Sequence, residues 1–323
     1  MLDIDVMNRD DESWRSGCVL AHDEFWGIAT VFIHELSVRS FVADHDRDAV
    51  LALVNADRMQ GQPECTSEML DQALAGRSPV DSGWWEELAD LRVEVVESAG
   101  GVVGVVSYAV RPRDSCGIVL WLHGREDQAV VAMLVDRAMD WLGECPVVEA
   151  FDFASALGLG LEGLPVAHRP ATHAALVGRG FADADLWRYM YRALPAPDLP
   201  RTAAFQVEQI DGDRRQLTVT AAGATLAEAT IGLPVGGIGV LWWISVEPAA
   251  RGGGVGRALL GSALDLLAGL GAAGVILFVD DDEPGGERDR VAANRLYEKT
   301  GFVEVDRLHS YRRVRVAAGD QVH

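Results

Sequence analysis

The sequence predicts an α/β protein made of two similar halves in tandem. Short β-rich runs alternate with amphipathic stretches at helical spacing along most of the 323 residues. A break at "PAPDLPRT", with three prolines and few apolar residues, marks a linker after residue 195. On either side of it the order of elements partly repeats: hairpin strands, an apolar strand, a long helix, a strand, a short helix ending in Gly-Phe, and a closing strand. The expected division is an irregular extension over residues 1–35, a first domain over 36–195, a second over 196–316 and a tail over 317–323.

The elements follow in order. Within 1–35 only "EFWGIATVFIHEL" has an apolar pattern, compatible with helix or strand. Val38, Ser40 and Val42 against Arg39 and Phe41 alternate as a strand does, and Asp46 then precedes Val50, Leu51 and Val54 at helical spacing. "SEMLDQALAG" predicts a second helix, with Ser67 as cap and Gly76 as stop. Two β-rich runs joined at Ala99-Gly100-Gly101 predict a hairpin, and "CGIVLWLHG" a third strand. "EDQAVVAMLVDRAMDWLG" is a strong amphipathic helix, "VVEAFDF" a strand, "HAALVGRGF" a short helix and "LWRYMYRAL" a closing strand. Beyond the break come strands in "FQVEQI", "RQLTVTAAG", "ATLAEATIGL" and "GIGVLWWISV". A glycine-rich loop leads to the helix "GRALLGSALDLLAGLG", the strand "GVILFV", a polar loop, the helix "VAANRLYEKTGF" and the strand "RLHSYRRVRV". The second half has no room for the two early helices of the first.

Composition narrows the function. A net charge of −21 argues against a nucleic-acid partner, which needs a basic face. The acidity suits either a solvated surface or attraction of a cationic small molecule. The four cysteines are scattered, with no C-x-x-C, and no H-E-x-x-H occurs, so neither a disulfide framework nor a metal is expected. No apolar run is long enough to span a membrane, and the acidic start "MLDIDVMNRDDESW" is unlike a secretory signal; the cytoplasm is the expected compartment.

The chemistry concentrates in "VEPAARGGGVGRALL", residues 246–260. A strand that feeds a glycine-rich turn and then a helix presents unpaired backbone N–H groups at the positive end of the helix dipole. Gly252, Gly253, Gly254 and Gly256 have no Cβ to hold an anion off, and Arg251 and Arg257 flank them, so an anion site is expected. The nucleotide loop G-x-x-x-x-G-K-[ST] is absent. A G-x-G-x-x-G does occur at Gly158-Leu159-Gly160-Leu161-Glu162-Gly163, but "LPVAHRP" after it opens no helix and Glu162 would repel phosphate; it is taken as chance.

Arg251-Gly252-Gly253-Gly254-Val255-Gly256 resembles the coenzyme A signature R/Q-x-x-G-x-G/A of the GNAT superfamily of N-acetyltransferases. "ISVEP" before it and "LYEKTGF" after it are similar to the same family at matching separation. The tandem layout is similar to that of the mycothiol synthase family, although no motif carries that substrate over. The resemblance implies two tandem GNAT-like domains, each a mixed, mostly antiparallel central sheet flanked by helices. It implies that backbone groups of Ile244, Ser245 and Val246 meet the pantetheine arm and acetyl carbonyl of acetyl-CoA, and that N–H groups from Arg251 through Val255 to Arg257 hold its pyrophosphate. Tyr297 matches the tyrosine that protonates the departing thiolate, a role a phenol near a helix can fill; the alternative is a packed core tyrosine.

Arg290 stands where the family has an asparagine seven residues before that tyrosine, and Asn294 is out of register. Glu247 and Asp280 are the reachable carboxylates for a general base, each also explicable as a solvated strand end. The acidic loop "VDDDEPGGERDR" is a candidate selector of a cationic acceptor or a solvated loop. In the first half the matching loop, "WLHGREDQAVV", carries Glu126 and Asp127, and Leu176 replaces the tyrosine. That half is therefore expected to be degenerate and to wall the acceptor site of the second, with Trp84 and Trp85 as candidates. The expected function is acetyl transfer from acetyl-CoA to a small-molecule amine. A non-catalytic acyl-CoA sensor, or transfer of another acyl group or to a hydroxyl or thiol, is the alternative.

Overall fold

The computed structural model describes residues 35–280 and 290–315, so the expectations for residues 1–34, for the acidic loop at 281–289 and for the tail at 317–323 lie outside the described residues. Everything described belongs to one compact unit that begins at Glu35.

The first half runs β1 (Ser37–Ser40), α1 (Ala43–Ala56), α2 (Ser67–Leu74), α3 (Ser82–Glu86), β2 (Ala89–Ser98), β3 (Gly101–Arg111), β4 (Cys116–His123), α4 (Gln128–Leu142), β5 (Val147–Ala150), β6 (Leu164–Pro165), α5 (Pro170–Gly178) and β7 (Ala182–Ala193). The second runs β8 (Gln206–Gln209), β9 (Arg214–Ala221), β10 (Ala224–Val235), β11 (Ile238–Val246), α6 (Val255–Gly269), β12 (Gly274–Val279), α7 (Val291–Lys299) and β13 (Val303–Val314). The strand and helix patterns read from sequence recur here. α3 and β6 carry too few residues to show a period. The cap of α2 is Thr66, whose hydroxyl accepts from the Met69 N–H, not Ser67 one residue on.

The architecture is α/β, and its sheet is mostly antiparallel, with parallel pairing among the described residues only at β4–β5 and β11–β12. All strands join one sheet in the order β1-β2-β3-β4-β5-β13-β7-β12-β11-β10-β9-β8, with β6 attached to β13. The closing strands are exchanged. β7, at the end of the first half, lies beside β12 of the second, with Gly274 opposite Ala193 and Val279 opposite Arg188. β13, at the end of the second, lies beside β5 of the first, with Tyr311 opposite Ala150. β7 and β13 then pair with each other from Val303↔Tyr191 to Arg312↔Ala182. The exchange leaves neither half with an open strand edge at the junction.

Both halves repeat one detail. β4 and β11 each carry a bulge where two residues oppose one: Leu120 is extra between Val119 and Trp121, and Trp242 between Leu241 and Trp243. Both strands then leave their parallel neighbours. β11 pairs with β12 only as far as Val240↔Ile276, and β4 with β5 only as far as Val119↔Ala150, although each strand continues for several residues.

Helices α6 and α7 cover one face of the second half's sheet, around Leu259, Leu260, Leu264, Leu277 and Phe302. Among the described residues its other face has no helices of its own. Met59, Leu159 and Leu161 from the first half cover it instead, packed with Tyr189, Ile276, Leu308, Trp242 and Phe278. Gly61 lies so close that a Cβ would stand 2.9 Å from both Ile276 and Tyr191. The "PAPDLPRT" segment is likewise packed and does not hang free. Ala196 and Leu199 are buried in the α6 core, Ser262 Oγ donates to the Thr202 carbonyl, and Gly261 leaves room for the Pro200 carbonyl. Apolar residues spaced between prolines can bury their side chains without any regular period, which is why the segment looked like a linker.

The exchange has a direct consequence for truncation. A fragment of residues 196–323 lacks β7, which lies between β12 and β13, and is expected to be unfolded alone by circular dichroism. The same fragment co-expressed with residues 1–195 is expected to recover a cooperative thermal transition.

Candidate functional site

Past Val240 the edge of β11 that faced β12 has no strand partner, and this divergence opens a slot through the sheet. A cavity of about 410 Å³ occupies it. On the helix side it is lined by Ile244, Val279, Ala293 and Tyr297, residues that belong to the α6–α7 core. On the opposite side it is lined by Trp187, Trp242 and Phe278 and, from the first half, by Val80, Asp81, Ala154, Gly160 and Glu162.

At the end of β11 the chain makes a single 3-10 turn over Pro248–Ala250 and enters the glycine loop. Gly252 and Gly254 both sit at φ +80, a conformation that costs an L side chain about 1–2 kcal/mol. Nothing lies within 4 Å of where their Cβ atoms would be, so the space before them is open. Gly256 is needed for packing instead, since a Cβ there would stand 2.8 Å from Val246 Cγ2. Gly254 is the N-cap of α6 and no side chain caps the helix, so its first-turn N–H groups face outward unpaired by any cap. Arg251 Nε donates to the Val246 carbonyl at 3.0 Å and ties the loop to the strand end, while Arg257 is exposed on the first turn.

Tyr297 is 7% exposed and lines the cavity, with Phe302 edge-on to its ring at 5.7 Å. Burial pushes its phenol up to about 12, with Arg290 acting weakly the other way, so it holds its proton throughout the neutral range. Asp280 also lines the cavity and accepts from Arg290 Nε at 2.7 Å. The Arg290 guanidinium lies 5.6 Å from the Trp243 ring centre. Asn294 accepts from Arg188 at 2.9 Å and donates to the Asp280 carbonyl, so it braces α7 against β7 and the end of β12. Glu247 is exposed at the end of β11, its N–H bonded to the Leu226 carbonyl, and is not part of the cavity wall.

The structure therefore brings Ile244, Tyr297 and Asp280 together at one cavity. It sets Arg251 through Arg257 at the adjoining helix start, with Ser245 and Val246 on the strand between, and leaves Glu247 aside. Trp84 and Trp85 do not wall the cavity. Trp85 is buried, edge-on to Phe153, and donates to the Ala154 carbonyl; Trp84 lies on the surface under Arg111 and Arg113. The first-half residues that do wall it include Gly160 and Glu162 of the G-x-G-x-x-G. Its glycines serve close packing: Gly160, at φ +76, lies against the Trp242 ring, and Gly163, at φ +100, against Leu308. Glycines spaced for packing look the same in sequence as glycines spaced for phosphate.

The corresponding slot of the first half is closed. Asp127 accepts from the N–H groups of Ala129 and Val130 and caps α4 where α6 is open. Glu126 caps α5 through the Ala171 and Thr172 N–H groups and pairs with Arg169 at 2.5 Å. Leu176 is fully buried. What remains is a cavity of about 60 Å³ beside a buried group in which Asp57 meets His123 at 3.1 Å and Arg169 at 3.6 Å. Burial raises the Asp57 carboxyl, but His123, Arg169 and the Gly124 N–H outweigh it and hold it at about 2.

Residues 214–304 match the family described as acetyltransferase (GNAT) domain. This segment is a GNAT domain. Curated proteins named mycothiol acetyltransferase are similar to the chain. That of Streptosporangium roseum is 41% identical over 76 residues, 24% of this chain and 20% of its own length; that of Beutenbergia cavernae is 40% identical over 83 residues, 26% of each. The aligned part thus spans only a fifth to a quarter of those relatives. Among solved structures, a tandem GNAT protein from the clavulanic acid biosynthesis pathway superimposes with a TM-score of 0.57 at 17% identity, covering 87% of this chain and 98% of that one. A GCN5-related N-acetyltransferase from Sphaerobacter thermophilus gives 0.55 at 15% identity, over 86% and 95%. At such identities these two establish the fold, which is that of tandem GNAT proteins. Among the described residues no group of side chains is set to hold a metal, and no helix is long and apolar enough to cross a membrane.

Two outcomes follow from this geometry. Gly160→Ala places a methyl group 2.6 Å from the Trp242 ring at a positive φ, and is expected to cost about 1–3 kcal/mol in urea denaturation. Arg169→Met leaves Asp57 and Glu126 without their cation and is expected to cost about 3–5 kcal/mol. Because Asp57 is held low in the folded state, its stabilisation is complete above the usual aspartate range and is lost as the pH falls toward 2.

Proposed function

We propose that the protein transfers the acetyl group of acetyl-CoA directly to a small-molecule amine, in the slot between β11 and β12 of the second half. We further propose that residues 36–195 act as a degenerate GNAT-like domain that shapes this site without a coenzyme site of its own. The observation that carries the reading is the alignment of three features. They are the uncapped start of α6 with open space before Gly252 and Gly254, the unpartnered edge of β11, and the buried phenol of Tyr297 in the adjoining cavity.

The residues present fit acetyl-CoA. The α6 N–H groups and the dipole behind them suit a pyrophosphate, which two side-chain-free positions allow to approach. The free edge of β11 offers backbone donors and acceptors from Leu241 to Val246 to a pantetheine arm, whose amides pair as a strand would. When bound, acetyl-CoA supplies a thioester carbonyl whose carbon is open to attack. The chain holds the nitrogen nucleophile against it, which removes the entropic cost of the encounter. N–H groups of the same β11 edge stabilise the charge that develops on the carbonyl oxygen. Tyr297 keeps its proton until the sulfur becomes basic and then donates it.

Isothermal titration of acetyl-CoA into the 323-residue chain is expected to show one site per chain, abolished by Gly254→Glu. Tyr297→Phe is expected to lower kcat by about 100-fold or more with acetyl-CoA affinity within about threefold of wild type. Two sites per chain would overturn the degenerate reading of the first half, and unchanged turnover by Tyr297→Phe would remove it as the acid. Binding without turnover of any amine would favour the sensor.

A further inference from the structure

The face of the second half's sheet opposite α6 and α7 is covered by the first half, whose Met59, Leu159 and Leu161 pack on it. We propose that Glu162, a residue of the first half, is the group that takes the proton from the acceptor nitrogen in the second half's site. This rests on the reading of that site as an amine acetyltransferase.

The placement comes first. Glu162 lines the 410 Å³ cavity from the side of Trp187, Trp242 and Phe278, whereas Tyr297 lines it from the helix side. An acid for the departing sulfur and a base for the incoming nitrogen belong on opposite sides of the reacting carbon, and these two residues are so arranged. The loop that carries Glu162 is held firmly. The Leu161 N–H donates to the Gly158 carbonyl at 3.2 Å, the Leu161 carbonyl accepts from the Ser155 N–H at 3.3 Å, Gly160 abuts Trp242 and Gly163 abuts Leu308. Its neighbours are thus fixed on β11 and β13, the frame that also sets the slot.

The electrostatics agree with the placement. The charged groups around the carboxylate are Asp81 near α3, Asp152 after β5 and, across the cavity, Asp280 with Arg290. The indole N–H of Trp187 lies beside it without completing a hydrogen bond, and no cation pairs with it among the described residues. Burial, reinforced by Asp81 and Asp152, raises Glu162 to about 7. Such a carboxylate is half ionised at neutral pH and basic enough to accept a proton from an amine under attack. Asp280 differs in being held by Arg290 at 2.7 Å, and Glu247 lies outside the cavity. The same acidic, aromatic wall selects the acceptor class: an amine cation is drawn to Asp81 and Glu162 and packs its body on Trp187, Trp242 and Phe278.

The bound amine cation first releases one proton to solvent, which frees its lone pair; Glu162 accepts the next as the C–N bond forms, and Tyr297 donates its phenolic proton to the sulfur as the C–S bond breaks. Solvent returns the proton from Glu162 to Tyr297, leaving an amide and a free thiol.

The experiment uses the 323-residue chain with acetyl-CoA and a panel of primary amines (tryptamine, histamine, glucosamine and lysine). For the wild type, kcat/KM is expected to fall by a further tenfold per pH unit below about 7, beyond the fall that protonation of the amine itself produces, because the carboxylate is the active form. Glu162→Gln is expected to lower kcat/KM at pH 8 by about 100-fold or more and to lose the further fall below about 7 while keeping the limb set by the amine, with acetyl-CoA affinity unchanged by titration. Asp152→Asn, which removes a neighbouring negative charge, is expected to move that further fall to lower pH with the plateau rate kept. A readout free of catalysis comes from folding. A carboxyl raised in the folded state favours folding while protonated, and that contribution is lost as the pH rises through about 7. Glu162→Gln is therefore expected to raise Tm relative to wild type more at pH 8 than at pH 5. The assignment is overturned if the wild type turns over while Glu162→Gln keeps its rate within about threefold and retains the further fall below about 7, or if the Tm difference is the same at both pH values. A wild type that binds no acetyl-CoA, or binds it and acetylates none of the amines, overturns the proposed function and this inference together.

Discussion

The exchanged pairing of β7 and β13 is the contact on which the rest of the structure depends. A strand inserted between β5 and β7 keeps the first sheet continuous with the second, and β7 does the same for β12. Backbone hydrogen bonds along this junction fix the two halves at a single register, because a slip of one residue would turn every side chain to the wrong face. With the register fixed, the face of β11 and β12 that lacks its own helices meets one particular surface of the first half. Met59, Leu159 and Leu161 seal that face, and the loop from Gly158 to Gly163 reaches the edge of the slot.

The two halves differ in whether the slot beside the bulged strand is open or filled. Both have a bulged strand that leaves its parallel neighbour, so the backbone device is present twice. They differ in how the following helix starts. α4 is capped by Asp127, which uses the first-turn N–H groups and adds a negative charge, while α6 begins on Gly254 with no cap. In the first half Asp57, His123, Arg169 and Glu126 pair with one another beside the corresponding place.

The environments of the titratable groups around the second slot diverge in a consistent way. Tyr297 is buried among apolar residues and keeps its proton, whereas Asp280 is paired with a guanidinium. Glu162 is half-buried beside other carboxylates and is held near neutrality. Divergent environments of this kind allow one cavity to offer both a proton donor and a proton acceptor at the same pH.

By itself the sequence determined the two-part α/β plan, nearly every strand and long helix, and the glycine loop. These follow from local rules: alternation at a period of two, apolar stripes at helical spacing, and glycines where the backbone needs φ +80. Tyr297 was legible through the family resemblance of "LYEKTGF", whose first four residues end α7 and whose last three follow it. Only the tertiary structure decided the strand exchange, because β7 and β13 carry patterns that would pair equally well with either half. It decided that Trp85 packs inward and Trp84 outward, that Ala196 and Leu199 are core, and that Glu247 stands aside from the cavity. It also brought Glu162 to Tyr297 across more than a hundred residues of sequence. No local pattern encodes such a meeting; it comes from the register of a sheet shared by both halves.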